Sequence, residues 1–341
     1  MSEAPRPVVS VCIANYNGEH LLDACIGSVL AQENAPPFEI IVHDDASTDR
    51  SLEVLSRYPS VRVLAFAENA GFCISNNRMA AVAKGEHLLL LNNDATISPD
   101  ALAALCARSE ALMNHSILGL PQYDDSDGRL IDRGCWLDWM MNPVPRTTDT
   151  DPAPAMVVGA CLWVPVPVWN ATGGFPEWFG TNAEDVYLCC AARWLGFGVD
   201  VLPMPGYRHK VGRSQGGGRI GANGRLEMSV RRRYLSERNR ALLMCIFQPC
   251  WLLPVTLLAN AGILLLEAAV LMIALRRPAL PWQVHITSQR DAWRLRGTAF
   301  ALRRRLATQR AVRLPEFFRP FRLVPAKLQL LLRHGLPIDA K

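Results

Sequence analysis

Over its first hundred residues the chain alternates short, β-rich apolar runs with stretches whose apolar residues recur at helical spacing. That alternation is the signature of βαβ units feeding a parallel sheet. The spacing predicts strands at Val8–Ile13, Glu39–His43, Val61–Ala65 and His87–Leu91, with helices between them at Leu21–Ala31, Asp49–Ser56 and Cys73–Ala83. In an open α/β sheet, ligands bind beyond the carboxyl ends of the strands. The loops that follow the four strands are therefore where function should be read.

Those loops are Asn15-Tyr16-Asn17-Gly18, Asp44-Asp45-Ala46-Ser47-Thr48-Asp49, Asn69-Ala70-Gly71-Phe72 and Asn92-Asn93-Asp94. Asn, Asp and Gly are also ordinary turn residues, so any one loop carries little weight. Four in register on one rim make a candidate site. No G-x-G-x-x-G follows the first strand and no G-x4-G-K-[ST] occurs anywhere, so neither the dinucleotide fingerprint nor the P-loop is present.

At these residues the chain resembles the family-2 inverting glycosyltransferases of GT-A fold, near the rhamnosyltransferase-like branch of bacterial cell-surface polysaccharide synthesis. The matching text runs VSVCIANYNG, QENAPPFEIIVHDDASTDRS, ENAGFCISNN, GEHLLLLNNDATISPDAL, VVGACLWV, GGFPEWF, AEDVYLCCAARWLGFGV and YRHKVGRS, in that order over about residues 8 to 215. The resemblance implies an α/β fold with a Rossmann-like nucleotide-binding sheet and a nucleoside-diphosphate-sugar donor. It places Asp44 and Asp45 against the base and ribose, with Asn15, Asn69, Asn76 and Asn93 lining the same cleft. Asp94 is the single carboxylate of the DxD-like triplet and His209 the later metal-side histidine, which together imply Mg2+ or Mn2+. The Glu184-Asp185 pair falls where the family carries its general base; Asp185 is expected to be the base and Glu184 to orient the site. The alternative is that both merely cap the helix and complement its dipole. Where family members often read F-D-E, this chain has Phe175-Pro176-Glu177, and Tyr187 and Ala191 replace a common acid and arginine. Those departures bear on the acceptor.

The rest of the chain has a different character. Residues 1–230 hold 16 Lys and Arg against 26 Asp and Glu, leaving −10, while the remainder carries +15. A basic surface calls for an anionic partner. Ala241–Leu275 contains one charged side chain, Glu267, and is long enough to cross a bilayer. Arginines flank it on both sides, and positive residues prefer the cytoplasmic side. The flanks favour a segment that enters and returns, or lies in the interface, with Pro249 and Pro254 supplying the bend; a single span and a buried helical pair are the alternatives. The last fifty residues interleave Arg with Leu, Phe and Trp at helical spacing, as a helix on an anionic membrane would. Nucleic acid would use the same arginines but leaves the apolar stretch without a role, so no nucleic-acid partner is expected.

The expected organisation is a catalytic domain at 1–230, an apolar membrane-associating segment at 231–289 and a basic amphipathic tail at 290–341. The ten cysteines show no C-x2-C pair, and MSEAPRPVV lacks the basic and apolar regions of a secretory signal. These features point to a reduced compartment and to the cytoplasmic face of the inner membrane. The acceptor implied is a lipid-linked glycan or other saccharide hydroxyl. Two rival readings are a sugar-phosphate nucleotidyltransferase and a catalytically inactive membrane scaffold of the same fold. The nucleotidyltransferase should show a Gly-rich loop with a basic residue just after the first strand, where this chain has Asn15-Tyr16-Asn17-Gly18.

Overall fold

Each predicted strand of the first hundred residues forms where its apolar run lies, and the helices fall between them. In a computed structural model that describes residues 6–149, 152–210, 217–220, 226–273 and 279–327, β1 (Val9–Asn15), α1 (Leu22–Leu30), β2 (Phe38–Asp45), α2 (Ser51–Ser56), β3 (Val61–Phe66), α3 (Phe72–Val82) and β4 (His87–Asn92) follow in order. Then come β5 (Ala95–Ile97), α4 (Ala101–Ala111), β6 (Ser116–Gly119), β7 (Gln122–Asp124), β8 (Leu130–Asp132), β9 (Cys135–Asp138) and β10 (Pro143–Pro145). They are followed by β11 (Cys161–Pro165), α5 (Val166–Thr172), α6 (Glu184–Trp194), β12 (Gly198–Val201) and β13 (Tyr207–His209). The chain divides into two units: Met1–Cys135 with Pro145–Ser214, and Trp136–Val144 with Gln215–Lys341.

The first unit is built on a seven-stranded sheet of order β12-β6-β11-β4-β1-β2-β3. β1 pairs in parallel with both β2 and β4, and β2 with β3. β11 is antiparallel to β4 and β6. The central strands read as near-continuous apolar runs because helices cover both faces, and Val9, Val11, Cys12 and Ile13 of β1 have no exposed surface. At the edge, β3 is largely exposed, at Arg62, Val63, Ala65 and Phe66. A second sheet of order β5-β13-β7-β8 lies within the same unit. Nine of the ten cysteines are buried, and Cys250 is exposed.

The second unit comprises the hairpin β14 (Gly217–Ile220) and β15 (Leu226–Met228), then α7 (Val230–Phe247), α8 (Leu253–Ile273), α9 (Ala279–Pro281), α10 (Thr287–Thr308), α11 (Leu314–Phe318) and β16 (Phe321–Arg322). Residues 136–138 of β9 join it by parallel pairing with β16, Leu137 opposite Phe321. Ala241–Leu275 is not one helix. α7 stops at Phe247, and a turn in which Leu252 and Leu253 donate to the Pro249 carbonyl restarts the chain as α8. Proline lacks the N–H that a helix interior needs, which places the break there. The two halves differ: Ala241–Phe247 is buried core, whereas α8 is long and apolar enough to cross a membrane and only a third buried. The arginine-rich run at 290–308 is helical as its spacing predicts. Residues 211–214 of the YRHKVGRS block and 328–341 of the basic tail lie outside the described residues.

Candidate active site

Parallel register brings the polar loops together. Asn15 at the end of β1 lies opposite Asp44 of β2, and Ala14 opposite Asn92 of β4. One hydrogen-bonded line crosses these strand ends: Asn93 Nδ2 donates to Asn15 Oδ1 at 2.8 Å, and Asn15 Nδ2 donates to Asp44 Oδ1 at 2.8 Å. Gly18 permits that line, because a Cβ there would sit 2.2 Å from Asn15 Oδ1 and 2.4 Å from Asn93 Nδ2. Asp44 also accepts from the Ser47 hydroxyl at 2.7 Å and the Ser47 amide at 3.1 Å, which closes the loop after β2 on itself.

Asp45 faces the next loop. Its two oxygens accept the amides of Ala70 at 2.7 Å and Gly71 at 2.8 Å, and the Asn69 side chain donates to its carbonyl at 3.2 Å. Gly71 then opens α3 from a φ of +91°, a conformation that costs a side-chain-bearing residue energy. Asn76 is buried in α3, and its Nδ2 donates back to the Phe72 carbonyl at 2.9 Å. Asn15, Asp44, Asp45, Asn69 and Asn93 therefore form one connected rim, with Asn76 one helical turn behind it.

The second sheet delivers His209 to Asp94. β13 pairs with β5 so that His209 lies opposite Ala95, one residue beyond Asp94, and the Lys210 amide donates to the Asp94 carbonyl. His209 Nε2 is 3.0 Å from Asp94 Oδ1, and both side chains are nearly fully buried. Two further residues orient the imidazole. The Tyr207 hydroxyl, which burial keeps protonated, donates to Gln122 Oε1 at 2.9 Å. That leaves Gln122 Nε2 to donate to His209 Nδ1 at 3.0 Å. The proton of neutral His209 then sits on Nε2 and points at Asp94. Tyr207 and His209 alternate on a strand and so share a face, a spacing that could have marked Tyr207; Gln122 carries no such signal.

Nε2 can serve a divalent cation beside Asp94 in the other tautomer, with the proton on Nδ1 and the Gln122 amide turned so that its oxygen accepts it. Octahedral ligands at about 2.0–2.1 Å from Mg2+ stand about 3 Å apart on one edge, close to the observed 3.0 Å. The protein donors are one carboxylate and one imidazole, and among the described residues no group of three or more His, Cys, Asp or Glu is arranged to hold a metal. The remaining ligands must come from elsewhere.

Glu184 and Asp185 open α6. Asn182 and Ala183, at φ of +65° and +70°, turn the chain into the helix. Adjacent helical residues point about 100° apart; Glu184 is buried, whereas Asp185 remains partly exposed. Asp185 Oδ2 accepts the Gly159 amide at 3.0 Å, and the next residue, Ala160, accepts the Asn92 amide at 2.9 Å. A short path of backbone thus links the helix start to the Asn92-Asn93-Asp94 turn. Tyr187 lies in the core with its hydroxyl on the Thr172 carbonyl, and Ala191 is fully buried. A further buried carboxylate, Asp132 of β8, lies opposite Gln122 and accepts the Gly134 amide at 2.9 Å. Burial pushes its pKa up to about 6, with opposing contributions from the Gly134 amide and His209 and a reinforcing one from Asp185.

The description "Glycosyl transferase family 2" matches residues 10–163. That segment is a little under half of the chain. The chain is 28% identical over 178 residues to the chondroitin synthase of Pasteurella multocida, a match that covers 50% of this chain and 17% of the synthase. The chain spans less than half the length of that relative. Two solved structures share the GT-A fold. The mannosyltransferase PcManGT from Pyrobaculum calidifontis, in complex with GDP-Man and Mn2+, has a TM-score of 0.54 at 18% identity and covers 89% of this chain and 86% of its own. S. aureus TarS 1-349 in complex with UDP-GlcNAc has a TM-score of 0.51 at 20% identity, covering 69% and 66%.

Proposed function

We propose that the chain is an inverting glycosyltransferase that moves a sugar from a nucleoside-diphosphate donor to a hydroxyl of a lipid-linked or other saccharide acceptor, at the cytoplasmic face of the inner membrane. The observation that carries this reading is the position of Asp185. It is a partly exposed carboxylate at a helix start, held by the Gly159 amide on the backbone path that leads to Asp94 and His209. Asp185 takes the proton of the acceptor hydroxyl as its oxygen forms the new bond to the anomeric carbon. The bond from that carbon to the donor diphosphate breaks on the opposite face, which inverts the configuration.

The rim from Asn93 through Asn15 to Asp44, with Asp45 and Asn69 beside it, holds the nucleotide, and buried Glu184 keeps the start of α6 in place. Asp94 and His209, with the donor diphosphate, would hold Mg2+ or Mn2+, which supplies positive charge to the leaving diphosphate. The GDP-Man and UDP-GlcNAc complexes of the two structural neighbours support a nucleotide-sugar donor, and the Mn2+ in one of them supports a divalent cation.

Asp185→Asn keeps the size of the side chain and its bond to Gly159 but cannot take the proton. Sugar transfer should fall by about 10²–10⁴-fold, while donor binding, measured by calorimetry with Mn2+ present, stays within about twofold of the parent. Transfer at the parental rate would overturn the assignment of the base.

A further inference from the structure

α8 is polar on the inside and apolar on the outside. Its buried residues are Leu253, Thr256, Asn260, Leu264, Glu267 and Leu271, so all three of its hydrogen-bonding or charged side chains point inward. Its exposed residues, among them Val255, Leu258, Leu265, Leu266, Val270 and Ile273, include no polar side chain. A helix at a water-facing surface has the reverse pattern. Polar residues that face protein and apolar residues that face outward belong to a segment whose outer solvent is lipid.

The inner face is tied down at both ends. Near the start, the Thr256 hydroxyl donates to Gln248. Near the end, Glu267, 3% exposed, pairs with Arg233 at 2.8 Å and Lys327 at 2.6 Å and has His285 at 3.4 Å. A helix held this way cannot stand across a bilayer without carrying those charges into hydrocarbon. Exposed Trp251 lies just before α8, and exposed Trp282 lies just after α9, which packs on it, as aromatic residues do at a membrane interface.

The exposed charge of this unit is mostly basic. Arg290, Arg294, Arg296, Arg304, Arg305 and Arg310 are exposed beside one exposed acid among the described residues of α7 to β16, Glu316, whereas Glu237, Glu267 and Asp138 are buried and Asp291 is partly covered. An anionic leaflet complements this net positive charge, whereas a second copy carries the same sign.

We infer that α8 is an in-plane membrane anchor, its outer face of Val255, Leu258, Leu265, Leu266 and Val270 sunk into one anionic leaflet while its inner face stays on the protein. This deepens the membrane location proposed above and is independent of the reaction assigned to Asp185.

The test is flotation of the full-length protein with vesicles of phosphatidylcholine and phosphatidylglycerol, beside pure phosphatidylcholine. The parent should float with the mixed vesicles, and the triple variant Leu258→Asp, Leu265→Asp, Leu266→Asp should lose about tenfold or more of the bound fraction with its melting temperature unchanged. Bimane placed by Leu258→Cys or by Leu266→Cys in a Cys250→Ser background should be quenched from the same shallow depth. Quenching of one label near the bilayer centre and the other near the headgroups indicates a span and overturns the inference. Unchanged flotation of the triple variant overturns it, as does a parent that sediments as a dimer, fails to float, and becomes monomeric in the variant. Donor hydrolysis on the same preparations separates this outcome from failure of the catalytic reading.

Discussion

Asp132 shows how one buried carboxylate makes the stability of this protein depend on pH. Removal from water disfavours its charged form, and the Gly134 amide does not fully compensate. The folded pKa of about 6 lies above an unfolded value of about 3.9, so the folded state binds the proton more tightly. The contribution favours folding fully below about pH 4 and is lost as pH rises through about 6. Asp132→Asn retains an acceptor for the Gly134 amide and removes the ionisation. In urea unfolding with EDTA present, the variant should gain stability relative to the parent between pH 4 and pH 7, up to about 3 kcal/mol at one pKa unit per 1.36 kcal/mol. A constant difference across that range would show that Asp132 titrates normally. The position of His209 is also a matter of single residues, since Gln122 and Tyr207 together fix which ring nitrogen faces Asp94.

At the scale of the element, α8 combines a surface that suits lipid with a buried ion cluster. Burial opposes ionisation of Glu267, but His285 and Lys327 outweigh it and hold its carboxyl well below the ordinary range. Replacing a whole buried ion pair by apolar groups is often nearly neutral, whereas removing one partner strands the other. Glu267→Gln should therefore cost about 3–5 kcal/mol in thermal or denaturant unfolding, because Arg233 and Lys327 remain buried. A loss below about 1 kcal/mol would mean that the cluster is solvated. The contrast with Leu265, 71% exposed on the same helix, separates what α8 does for the fold from what it does for its surroundings.

At the scale of the molecule, the two signs of charge belong to different tasks. The excess of −10 over the first 230 residues includes Asp44, Asp45, Asp94, Glu184 and Asp185, and the +15 beyond includes the exposed arginines of α10. Raising the ionic strength from about 0.1 M to about 1 M shortens the Debye length from about 10 Å to about 3 Å, which screens the arginines but leaves the apolar face unaffected. Vesicle binding of the parent should weaken by several fold over that range without vanishing, while the triple aspartate variant should be released entirely. Complete release of the parent by salt would leave electrostatics as the whole of the attachment.

The repeated strand and helix periods of residues 8–91 determined the α/β sheet, because alternation of apolar runs with helical spacing is local information and the backbone obeys it. They also placed Asn15, Asp44, Asn69 and Asp94 on one rim, since parallel strands all end on the same side. Which of these side chains bond to one another was decided by register, a property of strand pairs, as was the meeting of Asp94 with His209 across 115 residues. The joining of residues 136–138 to the second unit through β16 has the same origin. Composition likewise marked Ala241–Leu275 as apolar, and Pro249 and Pro254 marked a bend in it, without showing which part is buried. The turn at Pro249 and the cluster around Glu267 divided it into a buried half and a half turned outward, because a lone acid in an apolar run is stable only where the tertiary structure brings cations to it.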